Sequence, residues 1–372
     1  MAGIYIHVPF CQSRCIYCDF YSTTLLAHRE AYVEAVCREL NHRLPELQGE
    51  SVATIYFGGG TPSILGIENL RRILGSLDNL ESLNEITLEA NPDDLTEEYI
   101  QKLRTLPINR ISLGIQSFHD RTLQFMGRRH TAQEAIDAVR RLQHAGITNI
   151  SIDLIYGLPG ETLDDWNYSL DQAILLGIKH ISAYHLTYEE GTRLWHMQEL
   201  GIVSPIDEEQ SIRSFELLRE KLLTAGYEHY EISNFALPGY YSRHNSSYWE
   251  GTKYIGVGPG AHSYDGLNRR WNLSNLTNYI ATPEGEDVPH ETELLTTEER
   301  YDERIITELR TAHGINLNKL KIDFGDQYHT HCINCATPYV KRGKLEHTES
   351  NYLRLTPDSI FISDAIIRDL LY

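Results

Sequence analysis

Over its first 230 or so residues the chain alternates short β-branched runs with amphipathic stretches of helical period, and this alternation constrains the fold more than any other feature. Extended runs fall at 4–8, 54–57, 85–89, 110–114, 149–155 and 180–186. Helical patterns occupy 29–44, 67–77, 96–103, 132–145, 163–176 and 208–225. In 132–145, for example, Ala135, Ala138, Val139 and Leu142 recur on one helix face. Strands separated by helices of this length build βαβ units and a parallel sheet. No Gly-x-Gly-x-x-Gly follows the first strand. The reading is therefore an α/β fold with a barrel-like sheet, its chemistry at the C-terminal ends of the strands.

The pattern changes after about residue 230. Tyr, Gly, Ser and Asn dominate 240–264, which reads as a loop-rich cover, and the polar stretch 282–293 reads as a linker. Beyond it, 297–310 and 316–324 read as helices, 352–363 as a hairpin turning at Pro357-Asp358, and 365–371 as a closing helix. The expected division is a core barrel over 1–235, a cover segment with linker over 236–293, and a small winged-helix-like domain over 294–372, reasonable for 372 residues. Lys+Arg 33 against Asp+Glu 52 gives a formal net charge of −19, which disfavours a nucleic-acid partner. No run of about twenty apolar residues is present to span a membrane, and the N-terminus lacks a signal-peptide pattern. Three of the six cysteines fall within eight residues, which points to metal ligation in a reducing compartment, read as the cytoplasm.

Those three, Cys11, Cys15 and Cys18, form C-x3-C-x2-C on a loop after the first strand. Four thiolates usually complete a 4Fe–4S cubane. Three leave one iron open to chelate the amino and carboxylate groups of a small molecule. A zinc site would need a fourth close ligand, and Asp19 and His7 are poorly placed for it.

This spacing resembles the signature of the radical S-adenosylmethionine (SAM) superfamily. Within it the chain resembles the group that contains oxygen-independent coproporphyrinogen III dehydrogenases (oxidases) and haem chaperones of the HemW type. The resemblance runs through IYIHVPFC, GGGTPS, LEANPDDL, SLGIQSF, IDLIYGLPGET and HNSSYW. It implies a partial (β/α)6 radical SAM barrel, a 4Fe–4S cluster on the three cysteines, and SAM held near Tyr5, Tyr17, Gly59, Gly60, Thr61, Glu89, Gln116, Arg128 and Asp153. The residue types suit that role. Gly58, Gly59 and Gly60 let backbone approach a ligand. Arg128 suits a carboxylate, with Arg129 beside it as the competing candidate. Asp153 lies in an apolar strand, where a carboxylate needs a partner such as a ribose diol.

Two departures from the dehydrogenase pattern point to the haem-chaperone branch. Asp19-Phe20 stands where the dehydrogenases have Gly-Cys, and the cysteine motif begins at residue 11 without their longer substrate-binding segment. HNSSYW matches the H-N-x-x-Y-W motif associated with haem handling, which makes His244 a candidate iron ligand and Asn245, Tyr248 and Trp249 candidate haem contacts. From the residues alone the same segment reads rather as barrel-mouth packing, with His244 satisfied by a backbone partner. HTHCINC (His329, His331, Cys332, Cys335) is read as no site, and Cys37 as a buried small hydrophobe. The resemblance thus implies a carrier that binds haem and transfers it to haem-dependent respiratory enzymes, with membrane contact only through a partner. Its alternative is oxygen-independent coproporphyrinogen III dehydrogenation. A flavodoxin or ferredoxin donor is implied only if SAM is cleaved.

Overall fold

The structure is a computed structural model describing residues 1–77 and 79–372. Strands β1 (Ala2–Val8), β2 (Val52–Gly59), β3 (Glu85–Ala90), β4 (Arg110–Gln116), β5 (Ile150–Tyr156) and β6 (His180–His185) lie side by side in chain order and pair parallel throughout. This is the expected partial (β/α)6 barrel. Its helices begin where local chemistry starts them. Thr131 and Thr162 form capping boxes with Glu134 and Asp165, opening Ala132–His144 and Leu163–Leu175. Asp207 caps Glu208–Thr224 in the same way from its side chain. Helices Asp120–Met126 and Arg193–Glu199, seven residues each, escaped the sequence reading.

The sheet continues past both ends of the parallel core. After β6 the chain forms β7 (Glu228–His229) and β8 (Asn234–Ala236), and β8 runs antiparallel to β6. The stretch expected to be loop-rich holds helix Arg243–Trp249 and then β9 (Tyr254–Val257), which pairs parallel with β1. Strands β10 (His262–Tyr264), β11 (Asn268–Asn272) and β12 (His290–Leu294) follow antiparallel, so part of the expected linker is strand. The glycines that hid β9 from a propensity reading are what allow it. A Cβ on Gly256 would lie 1.9 Å from the His262 carbonyl oxygen, and one on Gly258 (φ +104°) 2.4 Å from that of His7.

The C-terminal residues build a second core around Tyr301, Ile305, Leu317, Leu353 and Ile367. Helices Thr297–Glu308, Leu317–Lys341 and Ser363–Leu370 surround a small antiparallel sheet of β13 (Ile315–Asn316), β14 (Leu345–His347) and β15 (Tyr352–Leu355). The hairpin joins β14 to β15 and does not turn at Pro357-Asp358. Pro357–Ile362 is instead a 3-10 helix with the proline in its first turn, where a missing N–H costs nothing. The helix expected over 316–324 is followed by Gly325 (φ 86°), whose non-helical backbone breaks the run, and a second helical stretch continues to Lys341, taking HTHCINC into helix. His331 Nε2 there lies 2.8 Å from the Leu371 carbonyl oxygen, and Cys332 is buried. Cys37 is half-buried against the barrel core. No helix among the described residues is long and apolar enough to cross a membrane.

Candidate functional site

The cysteine loop is pinned from below by its own apolar residue. Ile16, between two of the cysteines, is buried with Leu123, Met126, Leu158 and Leu194. Its N–H donates to the Met126 carbonyl at 3.2 Å and its carbonyl accepts from Leu194 N–H at 2.8 Å. Burying Ile16 leaves Cys11, Cys15, Tyr17 and Cys18 on the other side, facing a cavity of about 650 Å³ at the C-terminal ends of the strands. Its size is typical of cofactor sites. All six cysteines are free.

Eight of the nine residues read as SAM contacts line this one cavity: Tyr17, Gly59, Gly60, Thr61, Glu89, Gln116, Arg128 and Asp153. They come from five different strand ends and loops, which is how a barrel mouth gathers residues far apart in sequence. Tyr5 is the exception. It lies deeper, its ring stacked near Tyr56 and His244 and its Oη 3.3 Å from His7 Nδ1. Gly58 also turns away, since a Cβ there would meet the Tyr56 and Tyr5 rings at 2.8 and 2.9 Å. Gly60, by contrast, has no room for a side chain, with Phe10 O 2.6 Å and Cys11 Sγ 3.0 Å from where its Cβ would be. Gln116 takes a left-handed φ of 71° at a register shift between β4 and β5, a backbone cost that re-aims its side chain.

The two neighbouring arginines divide cleanly. Arg129 points outward to Asp93 and Asp94. Arg128 points inward, donating to Cys15 Sγ at 3.3 Å, to Asn91 Oδ1 at 2.6 Å and to the Gly114 carbonyl, while its Nε is buried without a partner. Thr61 Oγ1 donates to Cys11 Sγ at 3.8 Å. Three residues of the site escaped the sequence reading. Asn91 lies inside the LEANPDDL motif, Tyr184 is next to last in β6, and Tyr56, below the cavity, holds Glu89 through a 2.7 Å hydrogen bond from its Oη. Only the first two had a signal, motif membership and a strand end.

These residues fit an iron–sulfur cluster with one open corner and a zwitterionic, cationic ligand. Three thiols converge on one cavity with a guanidinium beside them. Two carboxyl groups, Glu89 and Asp153, stand in the same cavity with no cation in ion-pair contact among the described residues. Burial pushes the Glu89 carboxyl up to about 8 and that of Asp153 up to about 6. Burial likewise raises the Cys11 thiol, and pushes Cys18 up to about 11. The site is thus built at a cost that a bound cation or metal relieves.

A pH prediction follows. Both carboxyls keep a proton in the folded state that the unfolded chain gives up. The stability of the ligand-free protein therefore falls as pH rises from the ordinary carboxylate range through about 6 for Asp153 and about 8 for Glu89. Glu89→Gln should stabilise the ligand-free protein by about 1–3 kcal/mol at about pH 8 and hardly at all at about pH 5 in urea unfolding. An equal effect at both pH values would show that buried charge is not its origin.

The HNSSYW segment is a capped helical turn, Ser242 accepting from Asn245 N–H. His244 is 0% exposed, with Nδ1 2.8 Å from Thr54 Oγ1 and Nε2 2.8 Å from Tyr248 Oη. Its ring stacks on Tyr56 at 5.1 Å. The sequence made His244 a candidate iron ligand; here both of its ring nitrogens are engaged inside the protein. The four motif residues do not converge on one site. Asn245 faces a small polar cavity beneath Asp153, Tyr248 lines a different cavity on the far side, and Trp249 is half-buried with its indole N–H unpartnered.

Comparison with known proteins agrees with this architecture. The family model of the radical SAM superfamily matches residues 5–173. The haem chaperone HemW of Lactococcus lactis is 36% identical over 360 residues, covering 94% of this chain and 93% of that protein. The chain belongs to the HemW family. HemW of Bacillus subtilis is 32% identical over 94% of each chain, and HemW of Escherichia coli is 37% identical over 70% of this chain and 69% of that one. Among solved structures, the coproporphyrinogen III oxidase HemN of Escherichia coli superposes with a TM-score of 0.84 over 100% of this chain and 90% of that chain at 20% identity, a likeness of fold. The HemW matches at 94% coverage take in barrel and C-terminal unit together, far beyond the span of the radical SAM model.

Proposed function

We propose that the protein is a haem chaperone, a carrier that binds haem and passes it to haem-dependent respiratory enzymes from the reducing cytoplasm. Near full-length similarity to HemW proteins carries this reading. In it, Cys11, Cys15 and Cys18 hold a 4Fe–4S cluster and the cavity above them holds SAM. When bound, the cluster supplies an open iron that chelates SAM. The chain does the rest. Arg128 offsets negative charge at Cys15 and has a free Nε for a carboxylate. Thr61 donates to the Cys11 sulfur, a bond of the kind that tunes cluster potential. Glu89 and Asp153 accept from the amine and hydroxyl groups of the ligand, and Tyr56 holds Glu89 in place.

The Asp19-Phe20 pair separates this function from the dehydrogenase one. Phe20 is 60% exposed at the cavity rim, where the dehydrogenase pattern has a cysteine. Anaerobic protein should bind haem with a Soret band. It should give no conversion of coproporphyrinogen III to protoporphyrinogen IX under reducing, SAM-replete conditions. Robust turnover in that assay would replace the carrier by the enzyme.

A further inference from the structure

A second cavity, of about 550 Å³, lies on the other side of the HNSSYW helix, between the β9–β11 extension and the C-terminal unit. It shares no residue with the cysteine cavity. Aromatic rings line it from both sides: Tyr248 from the HNSSYW helix, Tyr254 and Tyr264 from the sheet extension, and Phe324 from the C-terminal unit. Tyr248 and Tyr254 meet edge to face at 4.7 Å. Three guanidiniums line it as well, Arg269, Arg300 and Arg304, in a chain whose overall charge is strongly negative.

The acids nearby answer two of these cations, each with two carboxylates, and leave the third. Arg269 pairs with Glu303 and Glu293, and Arg304 with Glu308 and Asp323, with Glu303 and Asp323 also in the lining. Arg304 sits 5.6 Å over the Phe324 ring and keeps a buried Nη1 without a partner. Arg300 has no acidic partner among the described residues; it donates only to Thr296 O and Thr297 Oγ1 in the first turn of its own helix. All three arginines act electrostatically on the Tyr264 phenol, which places them around one point of the cavity.

We propose that this interdomain cavity is the seat of the cargo: it takes a flat aromatic macrocycle bearing carboxylates, a porphyrin, with the rings against its faces and Arg300 and Arg304 on its propionates. The proposal rests on the haem-chaperone reading and gives it a place. It also accounts for the motif. His244 acts from behind the wall, fixing Tyr248 through the 2.8 Å bond to its Oη, and is a positioning residue rather than an iron ligand. Bidentate guanidinium–carboxylate pairing next to aromatic faces is what such a ligand needs.

The test compares haem with haem dimethyl ester, the same macrocycle without free carboxylates, by absorbance titration of the full chain. Wild type should bind haem about tenfold more tightly than the ester. Arg300→Glu, which breaks only bonds within its own helix turn, and Arg304→Gln should each bind haem about tenfold more weakly and lose the preference over the ester. Phe324→Ala should weaken both ligands alike. Equal affinity of wild type for haem and ester overturns the carboxylate clamp without any variant. Haem binding unchanged in Arg300→Glu and Arg304→Gln moves the cargo elsewhere while leaving the chaperone function standing. Wild type that binds neither macrocycle removes the chaperone reading itself, and this seat with it.

Discussion

Anaerobically reconstituted protein will carry about four irons and four sulfides per chain, and alanine at Cys11, Cys15 or Cys18 will abolish the brown chromophore outright. The effect is all-or-none because the three thiols share one cavity that Cys37, Cys332 and Cys335 do not line. Cys332→Ala and Cys335→Ala should leave the chromophore intact, since these residues sit on helix Leu317–Lys341 in the other core. Iron and sulfide analysis of the five variants decides it. Loss of the cluster in the Cys332 variant would mean that the ligand set is wrong.

The second large effect is expected at His244. Its imidazole is buried among Tyr5, Tyr56 and Tyr248, and both nitrogens hold partners. Alanine there leaves a ring-sized cavity and two unpaired hydroxyls, at a cost of about 3–5 kcal/mol in urea unfolding. Burial holds this histidine neutral, its pKa down at about 3. The unfolded chain, by contrast, takes up a proton at the ordinary value. Wild-type stability should therefore fall as pH drops from about 6.5 toward 3, by about 1.4 kcal/mol per unit from this residue, and His244→Phe should show a slope shallower by one proton. A His244→Ala protein as stable as wild type would return the residue to a ligand's role.

The parallel core was legible because each of its strands and helices carries its own periodicity and punctuation. Thr131 with Glu134 and Thr162 with Asp165 start helices by contacts three residues apart, so the boundaries were readable from neighbours alone. Strand β9 was not. Its Gly256 and the Gly258 just after it read as breakers, yet they answer to His262 and His7, which only the folded chain brings near. The hairpin of β14 and β15 was lost for a related reason, because a proline after a strand reads as a turn while it here opens a 3-10 helix.

The same division runs through the candidate sites. The three cysteines, the glycine turn, Arg128 and Asp153 are grouped in the sequence by spacing and by family resemblance, and they line one cavity in the folded chain. The sequence could not rank Arg128 above Arg129; that was decided by which guanidinium faces Cys15 and which faces Asp93 and Asp94. Nor could it tell that Tyr56 supports Glu89, thirty-three residues away, or that His244 looks inward to Thr54 while Tyr248 looks outward to Arg269, Arg300 and Arg304. A motif read along the chain groups residues by order. A helix turns each successive side chain by about 100°, so four residues of one motif face four different environments, and only their neighbours in space assign them their work.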